Sequence, residues 1–115
     1  MTRATAAPAN EVHLIGRVSG EPAVRCLPSG DELVSFRLVV PRPHRRGDPQ
    51  RGQVDTIDVA CWGASVRRTA ARLPDGQDVE VHGSLRRRFF ATGSGRASRY
   101  EVEAASLRRV DPPGP

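Results

Sequence analysis

Apolar and polar residues alternate along several short segments of this chain, and this period of two constrains the fold more than any other feature. In ELVSFRLVV, residues 32–40, every second residue from Val34 onward is apolar, and Ser35 and Arg37 lie between them. Side chains of a β-strand point alternately to opposite faces of a sheet. The segment is therefore predicted to be a half-buried strand, with Phe36 on the core face.

Four further segments have strand character, and one segment changes the period. Val66, Ala70 and Leu73 recur at helical spacing, and the PDG sequence that follows predicts the end of a helix. Turns are predicted at SGEP after the first strand and at ATGSGRA before the last. The predicted order is strand, strand, strand, helix, strand, strand, with strands at Val12–Val18, Glu32–Val40, Val54–Trp62, Gln77–Phe90 and Ser98–Val110.

The same alternation assigns aromatic and basic side chains to the two faces of the strands. Leu85 and Phe89 fall on the inward face of the fourth strand, where Phe89 would pack in the core or anchor a loop. Four side chains fall on outward faces, and they are Trp62, Arg86, Arg88 and Phe90.

The segment between the second and third strands has almost no apolar side chain. Residues 41–53, PRPHRRGDPQRGQ, contain three prolines and two glycines, and they are predicted to form a projecting, mobile hairpin loop. The loop holds four candidates for binding an anionic partner, namely Arg42, His44, Arg45 and Arg46.

The charge of the chain indicates the same kind of partner. The 115 residues include 18 basic and 13 acidic side chains, for a formal net charge of +5, and every basic residue is arginine. A GC-rich genome would by itself favour arginine over lysine. A small domain this basic nevertheless favours a polyanion, because the planar guanidinium group stacks on bases as well as pairing with phosphate. Nucleic acid is therefore the first predicted partner.

The sequence indicates no metal, redox or membrane function. Cys26 and Cys61 have no CxxC pattern and are predicted to be reduced, partly buried thiols. His13 and His82 lack metal-ligand spacing and are predicted to be surface side chains. No apolar run reaches membrane-spanning length, and the N-terminus has no secretory signal. We therefore expect a soluble, cytoplasmic protein that needs no cofactor.

One domain accounts for the chain, because 115 residues allow a single modest core. Residues 1–10 are predicted to be a flexible arm, residues 11–110 the domain and residues 111–115 a short flexible tail. The predicted order is that of the OB-fold, an all-β, five-stranded Greek-key barrel, here with one short helix between strands 3 and 4. Arginine and aromatic side chains on its open face would form a stacking platform beside a phosphate track.

The sequence also resembles a known family, the bacterial single-stranded DNA-binding proteins, in four blocks. VHLIGRVSGEPAVRCLPSG is similar to the start of that family's domain, and SFRLVVPR, VDTIDVACWG and DVEVHGSLRRRFF are similar to its later blocks. The blocks follow one another in the family's order and spacing over residues 10–110, so the match is far more specific than any single motif.

The resemblance implies which aromatic positions stack on DNA bases. Trp62 and Phe90 match two of the family's four stacking aromatics. His44 stands at the third position and would stack more weakly, and Thr56 stands at the fourth and cannot stack. Two roles stay open for Tyr100, which are packing across the hairpin from Phe90 and contacting DNA.

The function that the resemblance implies is sequence-tolerant binding and protection of single-stranded DNA in replication, recombination or repair, on the nucleoid. It also implies a homotetramer, with a dimer as the alternative. Phosphates would be neutralised by Arg42, Arg45, Arg46, Arg86 and Arg88. Family members usually continue into a linker and an acidic tip that recruits repair enzymes. This sequence stops at DPPGP: if it is the full protein, that recruitment is absent, and if it is part of a longer chain, nothing follows about recruitment.

Two other binding classes stay open: a tail-less adaptor that resembles the primosomal replication-restart factor, and an RNA-binding OB module. A reader of the 2′-hydroxyl should prefer RNA over a matched DNA oligomer. We do not expect an enzyme. OB-fold nucleases need carboxylates clustered around a metal, and the outward strand positions offer only the isolated Asp58 and Glu80.

Overall fold

Five strands close into a barrel in this computed structural model, which describes residues 3–43, 46–47 and 52–112. The strands are β1 (Val12–Cys26), β2 (Glu32–Pro41), β3 (Val54–Cys61), β4 (Asp78–Thr92) and β5 (Gly95–Arg109), and the helix α1 (Ala64–Ala71) lies between β3 and β4. Around the barrel the order is β1-β2-β3-β5-β4. Only the β3–β5 pair is parallel within the described ranges. The predicted OB-fold and the position of its helix are confirmed.

The core lies inside the barrel and is closed at one end by α1. Phe36 is buried there as predicted, together with apolar side chains of all five strands. The helix is shorter than the predicted segment, but Leu73 beyond its end is buried beside Val66 and Ala70 of the helix itself. The two thiols differ from the prediction, since Cys26 is exposed and Cys61 is fully buried.

The first strand is longer than predicted, because SGEP is a bend within β1 and not a turn that ends it. The first half of β1 pairs with β4 and the second half with β2. Between Ser19 and Ala23 the register shifts, and Gly20 has a φ of 83°. A strand that changes partners at a barrel corner has to bend, and an irregularity with a left-handed glycine supplies the bend. Asp75 fixes it by accepting the Gly20 N–H at 2.8 Å.

The β4–β5 hairpin is also longer than predicted and extends beyond the barrel. Its turn consists of Gly93 and Ser94 only, since β4 continues to Thr92. Strand β1 pairs with β4 only as far as Gly83, and β3 pairs with β5 only at Val102 and Glu103, so the hairpin beyond Leu85 and Val102 is a two-stranded ribbon. The prediction that Phe89 is buried is therefore wrong, because the ribbon has no core beneath either face; Phe89 is 63% exposed. Leu85, also predicted inward, is 45% exposed at the base of the ribbon.

Part of the arginine-rich loop between β2 and β3 is described. The backbone N–H of Arg42 donates to the carbonyl oxygen of Gln53 at 2.9 Å, so the ladder of the two strands extends into the loop. His44 and Arg45 lie outside the described residues, as do residues 48–51. At the other end of the chain, the Asn10 side chain exchanges two hydrogen bonds of 2.8 Å with the backbone of Leu85. Within the described ranges, no helix is long and apolar enough to cross a bilayer.

Candidate nucleic-acid interface

A shallow groove of about 440 Å³ lies on the outside of the barrel, between the bend of β1, the strands β2 and β3, and the base of the ribbon. Sequence reasoning missed three of its cations, Arg25, Arg37 and Arg99. The alternation of β2, which places Arg37 outward, was the available signal. No carboxylate of the described residues lies within ion-pair distance of Arg25 or Arg37. The charged residues that line the groove are Arg25, Arg37, Arg88, Arg99, Glu21, Asp58 and Glu101.

Trp62 follows the last residue of β3 and is half-buried. The guanidinium carbon of Arg88 lies 4.8 Å from the centre of the Trp62 ring, which is cation–π distance. Arg88 Nε also donates to Glu101 Oε1 at 2.8 Å, and the Glu101 side chain is only 10% exposed. A charge-assisted hydrogen bond to a shielded carboxylate fixes Arg88 against the indole. Arg67 donates to the backbone carbonyl of Trp62, so one arginine contacts the Trp62 ring and another contacts its backbone.

Phe90 forms a second aromatic–arginine pair on the ribbon. By alternation it shares a ribbon face with Arg88, and it is 37% exposed. The guanidinium carbon of Arg99 lies 5.3 Å from the Phe90 ring centre. Arg99 Nη1 also lies 3.7 Å from Asp58 Oδ2 in the groove. Arg99 is therefore a candidate site residue that sequence reasoning missed, because only the β4–β5 register brings it beside Phe90.

Two other predicted phosphate ligands, Arg42 and Arg86, already have acidic partners. Arg86 Nε lies 2.9 Å from Glu103 Oε2 on the neighbouring strand. Arg42 donates twice to Asp55 Oδ1, at 2.8 and 3.0 Å, and this hydrogen bonding raises the pKa of Arg42. Arg46 is exposed. A phosphate would have to replace a carboxylate at Arg42, Arg86 and Arg88 or share the guanidinium group with it.

The opposite face of the ribbon carries a different aromatic cluster. Arg87 lies with its guanidinium carbon 5.0 Å from the Phe89 ring centre and 5.7 Å from that of Tyr100. Tyr100 does not pack across the hairpin from Phe90, because its register partner is Arg87 and the partner of Phe90 is Ala97. Tyr100 and Phe90 therefore lie on opposite ribbon faces.

The carboxylates expected to be isolated are each engaged by cations. Asp58 lies beside Arg99 in the groove. Glu80 lies on the outer face of β4 and contacts His13 and Arg108, and its hydrogen bond with His13 is the main cause that lowers the pKa of Glu80. Neither belongs to a group of carboxylates in the described part of the chain.

Comparison with known proteins agrees with this geometry. Residues 9–110 match the profile of the family described as the single-strand binding protein family. The chain is 30% identical over 106 residues to the single-stranded DNA-binding protein of Halalkalibacterium halodurans, which covers 91% of this chain and 62% of that protein. For the single-stranded DNA-binding protein of Aquifex aeolicus the identity is 30% over 108 residues, with 90% and 71% covered. Single-stranded DNA-binding protein A of Bacillus subtilis is 30% identical over 104 residues, with 90% and 60% covered.

A solved structure shares the fold. It is that of a Plasmodium falciparum SSB in complex with ssDNA, with a TM-score of 0.76, 24% sequence identity, and 94% of this chain and all of that chain covered. The barrel and its helix thus define an OB-fold protein. The family match extends over nearly all of it, and the chain belongs to the single-strand binding protein family. It spans 60 to 71% of the length of the three relatives.

Proposed function

We propose that this chain binds single-stranded DNA with little sequence preference and protects it during replication, recombination or repair. The observation that carries the proposal is the pair of aromatic–arginine contacts on one side of the barrel, Trp62 with Arg88 and Phe90 with Arg99. Every base has a face that stacks on an aromatic ring, so such platforms bind without reading sequence. The three relatives are named as single-stranded DNA-binding proteins, which supports the same function.

In the proposed complex Trp62 and Phe90 stack on bases, and arginines along the groove and ribbon contact phosphates. To Arg42, Arg86 and Arg88 we add Arg25 and Arg37, which line the groove. His44, Arg45 and Arg46 of the loop complete the proposed set. Tyr100 lies on the other ribbon face and would touch only DNA that wraps around the hairpin.

The proposal includes assembly and location but no catalysis. Family membership supports a homotetramer, with a dimer as the alternative, acting in the cytoplasm on the nucleoid. Sedimentation velocity with and without oligo(dT) distinguishes the two assemblies. A species of two chains under both conditions would contradict the tetramer.

Two neighbouring phenylalanines allow a sharp test of the site. Phe90→Ala should weaken binding of oligo(dT) by about 1 to 3 kcal/mol, the usual contribution of one stacked base. Phe89→Ala removes the same side chain from the opposite face of the ribbon and should change binding much less. Fluorescence anisotropy with labelled oligo(dT) measures both. Equal losses would contradict a single binding face, and no loss in either would exclude the ribbon from the site.

The type of nucleic acid needs a separate test. Oligo(dT) and an RNA oligomer of the same length and sequence pattern should compete for the wild-type protein, and DNA should compete better. A protein that recognises 2′-hydroxyl groups would show the reverse order. That result would favour an RNA-binding module and leave the stacking platforms unchanged.

A further inference from the structure

Two histidines that are far apart in sequence meet on the outer face of the barrel. His13 of β1 and His82 of β4 are direct cross-strand partners, and their rings stack with centroids 4.1 Å apart and planes 6° apart. Glu80 stands two residues before His82 on the same strand face. His13 Nε2 lies 2.7 Å and His82 Nε2 lies 3.7 Å from the same oxygen, Glu80 Oε2. None of the three residues lines the groove.

We propose that His13, Glu80 and His82 bind one divalent transition-metal ion, with Zn²⁺ as the best fit. Two imidazole nitrogens and one carboxylate oxygen form a donor set that suits zinc, with a fourth position for water. The three ligand atoms lie within 4.8 Å of one another. Ligands of a tetrahedral zinc ion are about 3.3 Å apart, given metal–ligand distances of about 2.0 Å. To reach this spacing, the His13–Glu80 distance of 2.7 Å has to open by about 0.6 Å and the His82–Glu80 distance of 3.7 Å has to close by about 0.4 Å, which side-chain torsions can supply.

The stacked arrangement of the rings defines the movement that binding requires. A metal ion lies in the plane of each imidazole that coordinates it, so two parallel rings cannot share one ion until they tilt into a V. The side chains of His13 and His82 are 52% and 54% exposed, so their rings can tilt into solvent without disturbing the core. The ion would take the place of the proton that His13 and Glu80 share.

Arg108 orients the Glu80 carboxylate for metal binding. Its Nε donates to Glu80 Oε1, while the two histidines face Oε2. The Glu80 side chain is almost fully shielded, so its orientation is set by these contacts. A hydrogen bond to the outer oxygen of a ligating carboxylate orients the oxygen that binds the ion. The metal would then link β1 to β4 and stabilise the folded chain by mass action.

The test uses the whole chain and adds Zn²⁺ alone. Isothermal titration should show one ion per chain, Co²⁺ should give the visible absorption of a four-coordinate ion, and Mg²⁺ should give neither. His13→Gln and His82→Gln should each lower the Zn²⁺ affinity by about tenfold or more, because each removes one ligand. Both variants should keep the wild-type melting temperature in chelator and the wild-type affinity for oligo(dT).

Two further variants separate this site from other ligands in the chain. Cys26→Ser removes an exposed thiol, and His44→Gln removes the third histidine of the sequence. Both should bind Zn²⁺ like the wild type. Zinc binding that survives His13→Gln and His82→Gln, that disappears in Cys26→Ser, or that does not saturate near one ion per chain would overturn the proposal. None of these outcomes bears on DNA binding, so the two proposals fail independently.

Discussion

Trp62 and Phe36 are both aromatic residues of the barrel, but we assign Trp62 to DNA binding and Phe36 to the core. Phe36 is buried in the core, and Trp62 is half-buried at the end of β3 with Arg88 against its ring. Trp62→Ala should weaken oligo(dT) binding by about 1 to 3 kcal/mol and change the free energy of unfolding little. Phe36→Ala should lower that free energy by about 3 to 5 kcal/mol, because it leaves a cavity.

Intrinsic fluorescence gives an independent measurement of the same contact. Trp62 is the only tryptophan of the chain, so any quenching on addition of oligo(dT) reports on this residue alone. We expect quenching in the wild type. An unchanged spectrum, combined with a Trp62→Ala variant that binds normally, would assign Trp62 to the structure of the barrel and not to the site.

The two cysteines should differ in reactivity. The thiolate is the reactive form of cysteine, and burial raises the pKa of the Cys61 thiol to about 12. Cys26 is exposed. A disulfide reagent at pH 8 should therefore modify one thiol rapidly in the native protein and two in denaturant, and Cys26→Ser should abolish the rapid reaction. Two rapid thiols in the native state would show that the core around Cys61 opens.

At the scale of secondary structure elements, the close approach of β4 and β5 at their register shift depends on one glycine, Gly83. A Cβ atom on Gly83 would collide with the backbone carbonyl oxygen of Glu103, where the register of the two strands shifts. Backbone cannot move aside like a side chain, so Gly83→Ala should lower the free energy of unfolding by about 1 to 3 kcal/mol. Chemical denaturation measures the change.

The turn of the same hairpin supplies the matched control. A Cβ atom on Gly93 would meet no heavy atom within 4 Å, and the φ angle of Gly93 is not positive. Gly93→Ala should therefore be close to neutral. If both substitutions lowered the free energy of unfolding equally, the loss would come from replacing any glycine of the hairpin and not from the close backbone contact at Gly83.

At the scale of the whole molecule, binding should depend on salt. Each phosphate neutralised on a single strand contributes about −0.7 to the slope of log K against log salt, so the seven arginines proposed to contact phosphates predict about −4.9. Binding of oligo(dT) measured between low and moderate salt gives the slope directly. A slope near zero would remove the proposed phosphate contacts and leave only stacking.

The ion pairs of the free protein should moderate this attraction. Glu103 holds Arg86 at 2.9 Å, so Glu103→Gln should release Arg86 and strengthen oligo(dT) binding at low salt. Glu11→Gln changes the net charge equally but removes no ion pair described in residues 3–43, 46–47 and 52–112, and it should have a smaller effect. Equal effects would indicate that only net charge matters.

The alternation of apolar and polar residues was sufficient to predict the barrel, but it did not predict the contacts around the candidate site. Alternation placed Phe36 in the core and predicted the order of strands and helix, because a half-buried strand repeats every two residues. It wrongly predicted that Phe89 is buried, because alternation along β4 does not show where the barrel beside that strand ends. The partners Glu101 and Arg99 depend on the exact register of the β4–β5 hairpin, and the meeting of His13 with His82 depends on register between strands distant in sequence; alternation along one strand gives neither.

The ribbon beyond Leu85 and Val102 has a consequence for solubility that is independent of any ligand. Closing the barrel pairs the strands on both sides, but the outer edges of the ribbon keep unpaired backbone groups. Such edges invite a second chain to add a strand, and charged side chains are a common defence against this association. The run from Arg86 to Arg88, with Arg96 and Arg99 on the other strand, gives the ribbon an excess of positive charge even though Glu101 and Glu103 pair with two of these arginines. The same arginines that would attract a polyanion therefore keep copies of this basic chain from joining ribbon to ribbon.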